Sequence, residues 1–329
     1  MKMRAVVIKS FGNPEEVVHL GEAQIPEAAA GELRIKLLKS PIHNHDLAII
    51  RGSYGYKPEL PAVPGSEALG LVDAIGEGVE GFKIGQKVAV PAGYRMWAEY
   101  FTTPARSAVP VPPTMSDDIA CQLLAMPLNA YLLFEALDTK PGDWTIQTAS
   151  NGAVGRVVVQ LAKGRKVNVI SLIRRDDGID EMKSLGAEHV LSTQDGTWPA
   201  QIAKITGGAP IKGAIDSVSG PITLPLANAI SPGGIFLSFG AMSQKPIVLD
   251  PSALIFGGIT VKGFWGSTWV QKASAEEKQR VLGDVIKLVA NGTIVLGVEA
   301  EYDLADAKEA VLRSDQPGRV GKVVLTSTR

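Results

Sequence analysis

Cysteine is nearly absent from this sequence: its 329 residues include one, Cys121. A lone thiol excludes an intramolecular disulfide and a structural zinc site built from cysteines. The surrounding residues 119–124 are largely apolar, so Cys121 reads as a small buried residue. Net charge is lacking as well. Lys+Arg number 33 and Asp+Glu 34, leaving -1 with no basic run, so nucleic-acid binding has no electrostatic footprint. No apolar stretch reaches the roughly 18 residues of a membrane span. Residues 1–9 read as a strand and not as a signal peptide, because their apolar stretch is too short. These absences together predict a reducing, cytoplasmic setting, with neither membrane nor nucleic acid as a partner.

What remains is an ordinary globular composition, 45% hydrophobic and 20% charged, in a length that suits two domains. Short β-type runs at 4–8, 32–38, 69–75 and 86–90 are punctuated by glycine and proline, as at Gly31, Pro64, Gly65, Gly76 and Gly85. They predict a compact β-barrel-like domain. The pattern changes near Pro110 and Pro113. A helix is expected over 117–137, with Ser116 as its N-cap. Strands at 144–148, 167–173, 189–191, 213–217 and 234–239 then alternate with helices such as 153–163 and 180–185. That alternation predicts βαβ units on a parallel sheet. A further strand at 260–265, an amphipathic helix at 275–289 and strand-like pieces at 298–302 and 322–325 complete the chain.

Residues 146–156 read Ile-Gln-Thr-Ala-Ser-Asn-Gly-Ala-Val-Gly-Arg, following an apolar strand and opening a helix. Glycines at 152 and 155 would let the backbone approach a pyrophosphate, with helix N-terminal amides facing its charge. Ser150 takes the first glycine position, so the motif alone is a weak signal, with a tight turn without a ligand as the alternative; the flanking βαβ pattern favours the cradle. Arg174 lies 19 residues after Gly155, followed by Arg175. An NAD site usually has an acidic residue here, for the ribose hydroxyls. Two arginines instead suit a 2′-phosphate, and the acids Asp176 and Asp177 come only afterwards. The cofactor expected is NADPH.

On these residues, and on the segments Ser40-Pro41-Ile42, Arg51-Gly52-Ser53-Tyr54-Gly55, Pro58 to Gly65, Ser184 to Val190 and Gly263-Phe264-Trp265, the chain resembles the medium-chain dehydrogenase/reductase superfamily. The resemblance is to its zinc-free branch of 2-enoyl thioester reductases and quinone oxidoreductases. It implies a Rossmann doubly wound parallel sheet inserted in a GroES-like β-barrel catalytic domain. Residues 1–112 and 261–329 would form the catalytic domain and 113–260 the NADP-binding domain. It implies cofactor contacts from Asn151, Gly152, Ala153, Val154 and Gly155, from Arg174 and Arg175, and from Phe239, Gly240, Ala241 and Met242. Phe264, Trp265, Gly266 and Lys322 complete the implied set. Where the family places an asparagine toward the cofactor, this chain has Met126, with Asn129 three residues later. A homodimer is also implied.

Zinc-dependent relatives carry a ligand in Gly-His-Glu, whereas this chain has Gly65-Ser66-Glu67. His43 and His45, two apart, would share a face on a strand, but a catalytic zinc needs a third protein ligand, and no metal is expected. Hydride addition to a conjugated C=C leaves enolate charge that needs a donor and a proton. A tyrosine hydroxyl can supply both. Tyr54 occupies the family's catalytic position, with Tyr56 as a nearby rival. The reading is an NADPH-dependent reductase whose substrate is an enoyl thioester or an enone. Quinone reduction and a catalytically silent NADPH-binding protein are the alternatives.

Overall fold

The computed structural model describes residues 1–91 and 94–327. The chain divides into two compact units, Met1–Ala125 with Val295–Arg329, and Met126–Ile294. These limits lie later in the chain than the composition changes near Pro113 and Gly263. Residues 113–125 are tied to the first unit: Asp117 pairs with Lys87, Asp118 pairs with Lys39, and the Leu124 and Ala125 amides donate to Glu67.

The first unit is built on the ten-residue strand Glu32–Pro41. It pairs antiparallel with Ala68–Ile75, Tyr100–Pro104 and Lys322–Thr326. Register shifts between Arg34 and Ile35 and between Leu37 and Lys39 let one strand curl and serve three partners. Val298–Asp303 extends the sheet beyond Lys322–Thr326, and Lys87–Val90 and Val109–Pro110 extend it on the other side. Alternate residues Leu33, Ile35 and Leu37 point inward onto Trp97, Leu47, Val88 and Val323.

The second unit holds six parallel strands. In chain order they are Trp144–Gln147, Asn168–Ile173, His189–Ser192, Ile211–Asp216, Ile235–Ser238 and Thr260–Gly263. Across the sheet they run third, second, first, fourth, fifth, sixth. This is the Rossmann order, and its direction reverses between the first and fourth strands. Strands such as Asn168–Ile173 and Ile235–Ser238 read as nearly unbroken apolar runs because both their faces are covered, whereas the edge strand Thr260–Gly263 is exposed. Ile146, Ile170, Leu172 and Phe236 form a core with Trp198, Leu226 and Ala227.

Two local expectations need correction. The helix expected over 117–137 is two helices, Asp117–Ala120 and Ala125–Ala136. The break coincides with Glu67 capping the amides that open the second helix, and Pro127 fits its first turn, where no intrahelical N–H bond is lost. His43 and His45 do not share a strand face: His43 precedes the helix Asn44–Ile50 and His45 lies in its first turn. Among the described residues no helix is long and apolar enough to cross a membrane.

Candidate active site

In the Met126–Ile294 unit, the strand Trp144–Gln147 leads into a tight turn and then the helix Ala153–Arg165, with Gly152 at its N-cap. Ala149 adopts φ 49°, in the left-handed region, which turns the chain sharply. Gly155 is required by packing, since a Cβ there would lie 2.6 Å from Ser150 Cα and from its carbonyl oxygen. Ser150, in the first glycine position, is buried, and its amide donates to Leu172 O at 3.0 Å. The serine therefore belongs to the turn and does not fill the space above the helix end. A Cβ on Gly178 would come within 3.7 Å of Asn151 Nδ2, so Asn151 lies beside the loop that carries the arginines.

That loop leaves the strand Asn168–Ile173 with Arg174 and Arg175 both exposed. Arg175 Nε sits 3.1 Å from Asp177 Oδ1, whereas Arg174 has no ion-pair partner among the described residues. The two arginines are thus unequal: one is partly neutralised by its own loop.

At the strand-order reversal, buried Asp216 gathers the neighbouring turns. Its Oδ1 accepts from Thr148 Oγ1 at 2.8 Å and from the Val218 amide at 3.1 Å, and Oδ2 accepts from the Ser219 amide at 2.9 Å. Its carbonyl accepts from the Phe239 and Gly240 amides at 2.8 and 3.1 Å. The segment 239–242 is thereby set at the carboxyl ends of the strands, where such sheets bind ligands. Phe239 and Phe264 lie 6.1 Å apart, and a Cβ on Gly266 would meet Asn129 Oδ1 at 2.2 Å. Asn129 therefore faces the 264–266 turn. The sequence pattern did not single out Thr148 or Asp216.

The other unit holds a cluster of buried titratable groups. His43 Nε2 lies 2.8 Å from Glu67 Oε2, and both side chains are fully buried. Glu67 Oε1 accepts the Leu124 and Ala125 amides, each at 2.8 Å. Burial, only partly offset by those amides, pushes the Glu67 carboxyl up to about 7. Burial likewise lowers the Lys322 ammonium to about 8, and it donates to Ile42 O at 3.3 Å. Lys322, read from the resemblance as a cofactor contact, belongs to the unit of Met1–Ala125 and Val295–Arg329. Burial holds His43 well below the ordinary imidazole value, and its Nδ1 has no partner among the described residues. Cys121 is buried as expected, and desolvation pushes its thiol up.

Next to this cluster, Ser66 Oγ lies 2.6 Å from His45 Nε2. The His45 ring is 5.9 Å from the ring of Tyr54, which sits, half-buried, on a turn where Gly52 takes φ 71°. Tyr56 is stacked on Tyr94 at 4.1 Å. Burial and the neighbouring phenols of Tyr54 and Tyr56 push Tyr94 up to about 12. Among the described residues, no three His, Cys, Asp or Glu side chains converge as metal ligands. Sequence reasoning treated Glu67 only as part of a missing zinc motif. Its place directly before the apolar run Ala68 to Val72 was the available signal for a buried carboxylate.

Residues 29–113 match the alcohol dehydrogenase GroES-like domain, and residues 153–283 match the zinc-binding dehydrogenase domain. The human mitochondrial enoyl-[acyl-carrier-protein] reductase is 31% identical over 332 residues, covering 99% of this chain and 89% of the relative. A Bacillus thuringiensis structure described as a candidate NADPH:quinone reductase superposes with TM-score 0.92 at 29% identity, covering 99% of both chains. A complex of Etr1p with NADP and crotonyl-CoA gives TM-score 0.85 at 26% identity, covering 99% of this chain and 100% of the other. Both domain matches and the full-length identity lead to one assignment: the chain belongs to the medium-chain dehydrogenase/reductase superfamily, in its zinc-free branch of enoyl reductases and quinone oxidoreductases.

Proposed function

We propose that this chain is an NADPH-dependent reductase of activated C=C bonds, acting on α,β-unsaturated acyl thioesters. The observation that carries the reading is Tyr54, a phenol presented on a glycine turn against His45. The enoyl reductase relatives support the substrate class. NADPH, when bound, supplies the hydride that reduces the β-carbon. The turn Asn151–Gly155 fits its pyrophosphate, because Gly155 admits no side chain and the helix N-terminus directs amides outward. Arg174 is the residue suited to its 2′-phosphate, with Arg175 secondary because Asp177 already engages it. Segments 239–242 and 264–266 would flank the nicotinamide. Tyr54 would stabilise the enolate oxygen's charge as it forms and give its proton to the α-carbon. Lys322 would act from the catalytic unit, as a buried cation whose pKa is lowered to about 8.

Quinone reduction is the second reading, favoured by the fold match to the Bacillus thuringiensis protein. NADPH oxidation measured with crotonyl-CoA, a simple enone and a quinone tests both. Turnover of crotonyl-CoA is expected. Turnover of the quinone alone would replace the first reading with the second, and binding of NADPH without turnover would indicate a silent binding protein. The reading includes a homodimer, supported by the edge strand Thr260–Gly263, all four residues of which are exposed beside exposed Leu254, Ile255 and Phe256. It also includes a reducing compartment such as the cytoplasm, although the enoyl reductase relatives are named as mitochondrial.

A further inference from the structure

His45 has no part in the reaction as described so far, yet it lies directly against the proposed acid. Its ring contacts His43 at 5.0 Å and Tyr54 at 5.9 Å. Ser66 Oγ, 2.6 Å from Nε2, fixes the ring's orientation. About a quarter of the side chain, 26%, reaches solvent. One imidazole thus touches both the phenol's ring and water. Joining the imidazole to the phenol oxygen requires a side-chain rotation or a bridging water.

Resting on the reading of Tyr54 as proton donor, we propose that His45 returns to Tyr54 the proton it gives away. The substrate, having accepted hydride at its β-carbon, holds the former C=C electron pair as an enolate. Its α-carbon bonds to the phenolic proton, and the O–H electron pair stays on Tyr54 as phenolate. A proton from water adds to a ring nitrogen of His45, leaving hydroxide in solvent. The imidazolium N–H bond then breaks toward the phenolate, restoring phenol and neutral imidazole. The return consumes one solvent proton per turnover and changes no oxidation state.

The surrounding charges favour this order. At rest, burial and Lys322 lower the proton affinity of His45, outweighing Asp46 and Glu67, which raise it. His43, held neutral by its own burial, adds no charge. A phenolate on Tyr54 puts an anion beside the ring and raises its proton affinity at the moment a proton is needed.

Rapid mixing of the NADPH-loaded protein with crotonyl-CoA separates the first turnover from later ones, because Tyr54 begins protonated. His45→Gln, which can still hydrogen-bond Ser66, is expected to complete the first turnover at the wild-type rate. Later turnovers should slow about tenfold or more near pH ~8, with added imidazole restoring them. Unchanged later turnovers, or equal slowing of both phases with no response to imidazole, would overturn the proposal. If Tyr54→Phe loses activity while His45→Gln does not, only this proposal fails. If Tyr54→Phe stays fully active, the underlying reading fails. Should His45→Gln not fold, the wild type decides: later turnovers should slow from about pH 7 to 9 while the first stays level, and level later turnovers reject the relay.

Discussion

Arg174 stands exposed at the end of a parallel strand, whereas Glu67, in the other unit, has no contact with solvent. The contrast extends to their neighbours. The residues proposed for the cofactor's phosphates keep their charge in water, where holding it costs nothing until the ligand arrives. The cluster around Glu67 is desolvated, which brings a carboxyl up to about 7 and an ammonium down to about 8. On the proposed reading, one unit would hold charge for binding, and the other would use burial to bring acids and bases close to neutral pH, where proton transfer is most effective. If that division holds, substitutions in the first unit should change rate, stability or pH response, and substitutions on the exposed arginine loop should change affinity alone.

The sharpest way to break the comparison is Tyr54→Phe, which keeps the ring and removes the hydroxyl. Loss of a positioned acid should lower kcat for crotonyl-CoA by about 10²–10⁴-fold. NADPH affinity, read by fluorescence titration, should stay near wild type. Tyr56→Phe serves as control and should be mild, since Tyr56 is engaged in its stack on Tyr94. A larger loss from Tyr56→Phe than from Tyr54→Phe would move the acid to the wrong ring for this reading.

A smaller effect is expected at Glu67 itself. Glu67→Leu strands the Leu124 and Ala125 amides and the His43 ring, and should cost about 3 kcal/mol in denaturant unfolding. Glu67→Gln keeps an acceptor for the amides and should cost less. The two also differ in pH response. The folded-state pKa of Glu67 is raised to about 7 from 4.5, so burial favours the protonated form. The stability it contributes is therefore full below about pH 4.5 and is lost as pH rises through about 7, a change of order 3 kcal/mol. Glu67→Gln should flatten that slope. His43 and His45, both held below the ordinary imidazole value, pull stability the other way over this interval. The difference between wild type and Glu67→Gln is therefore the readout. A difference that does not fall with rising pH would show that Glu67 is ionised in the fold.

The two regions also differed in how far they could be read from sequence. The cofactor unit was legible because its signals are local. Apolar strands such as Asn168–Ile173 alternate with helices, and the cradle and its arginines follow within a few turns of chain. The buried cluster was not, because it is assembled by long-range contacts: His43 meets Glu67 across 24 residues, and Lys322 meets Ile42 across 280. The helix Asn44–Ile50 was missed because seven residues ending in two isoleucines give no helical period to detect. Tyr54 was found through family resemblance, and no spacing rule would have chosen it over Tyr56.

The smallest predicted effect is on the exposed side of the comparison. Arg174→Ala should weaken NADPH binding by about 10–100-fold, the equivalent of roughly 1.5–3 kcal/mol for a charge-assisted phosphate contact. NADH binding should hardly change, because the guanidinium is assigned to the 2′-phosphate. Arg175→Ala should do less, since Asp177 already offsets that charge at 3.1 Å. Because Arg174 is exposed, its contribution should shrink with added salt, unlike effects in the buried cluster. Fluorescence titrations of both cofactors at two ionic strengths check all three expectations. Equal weakening of NADPH and NADH would mean that the arginine supports the loop and not the phosphate. A loss of kcat at saturating NADPH would mean that the exposed loop shares in the chemistry, and the division of labour between the two units would have to be abandoned.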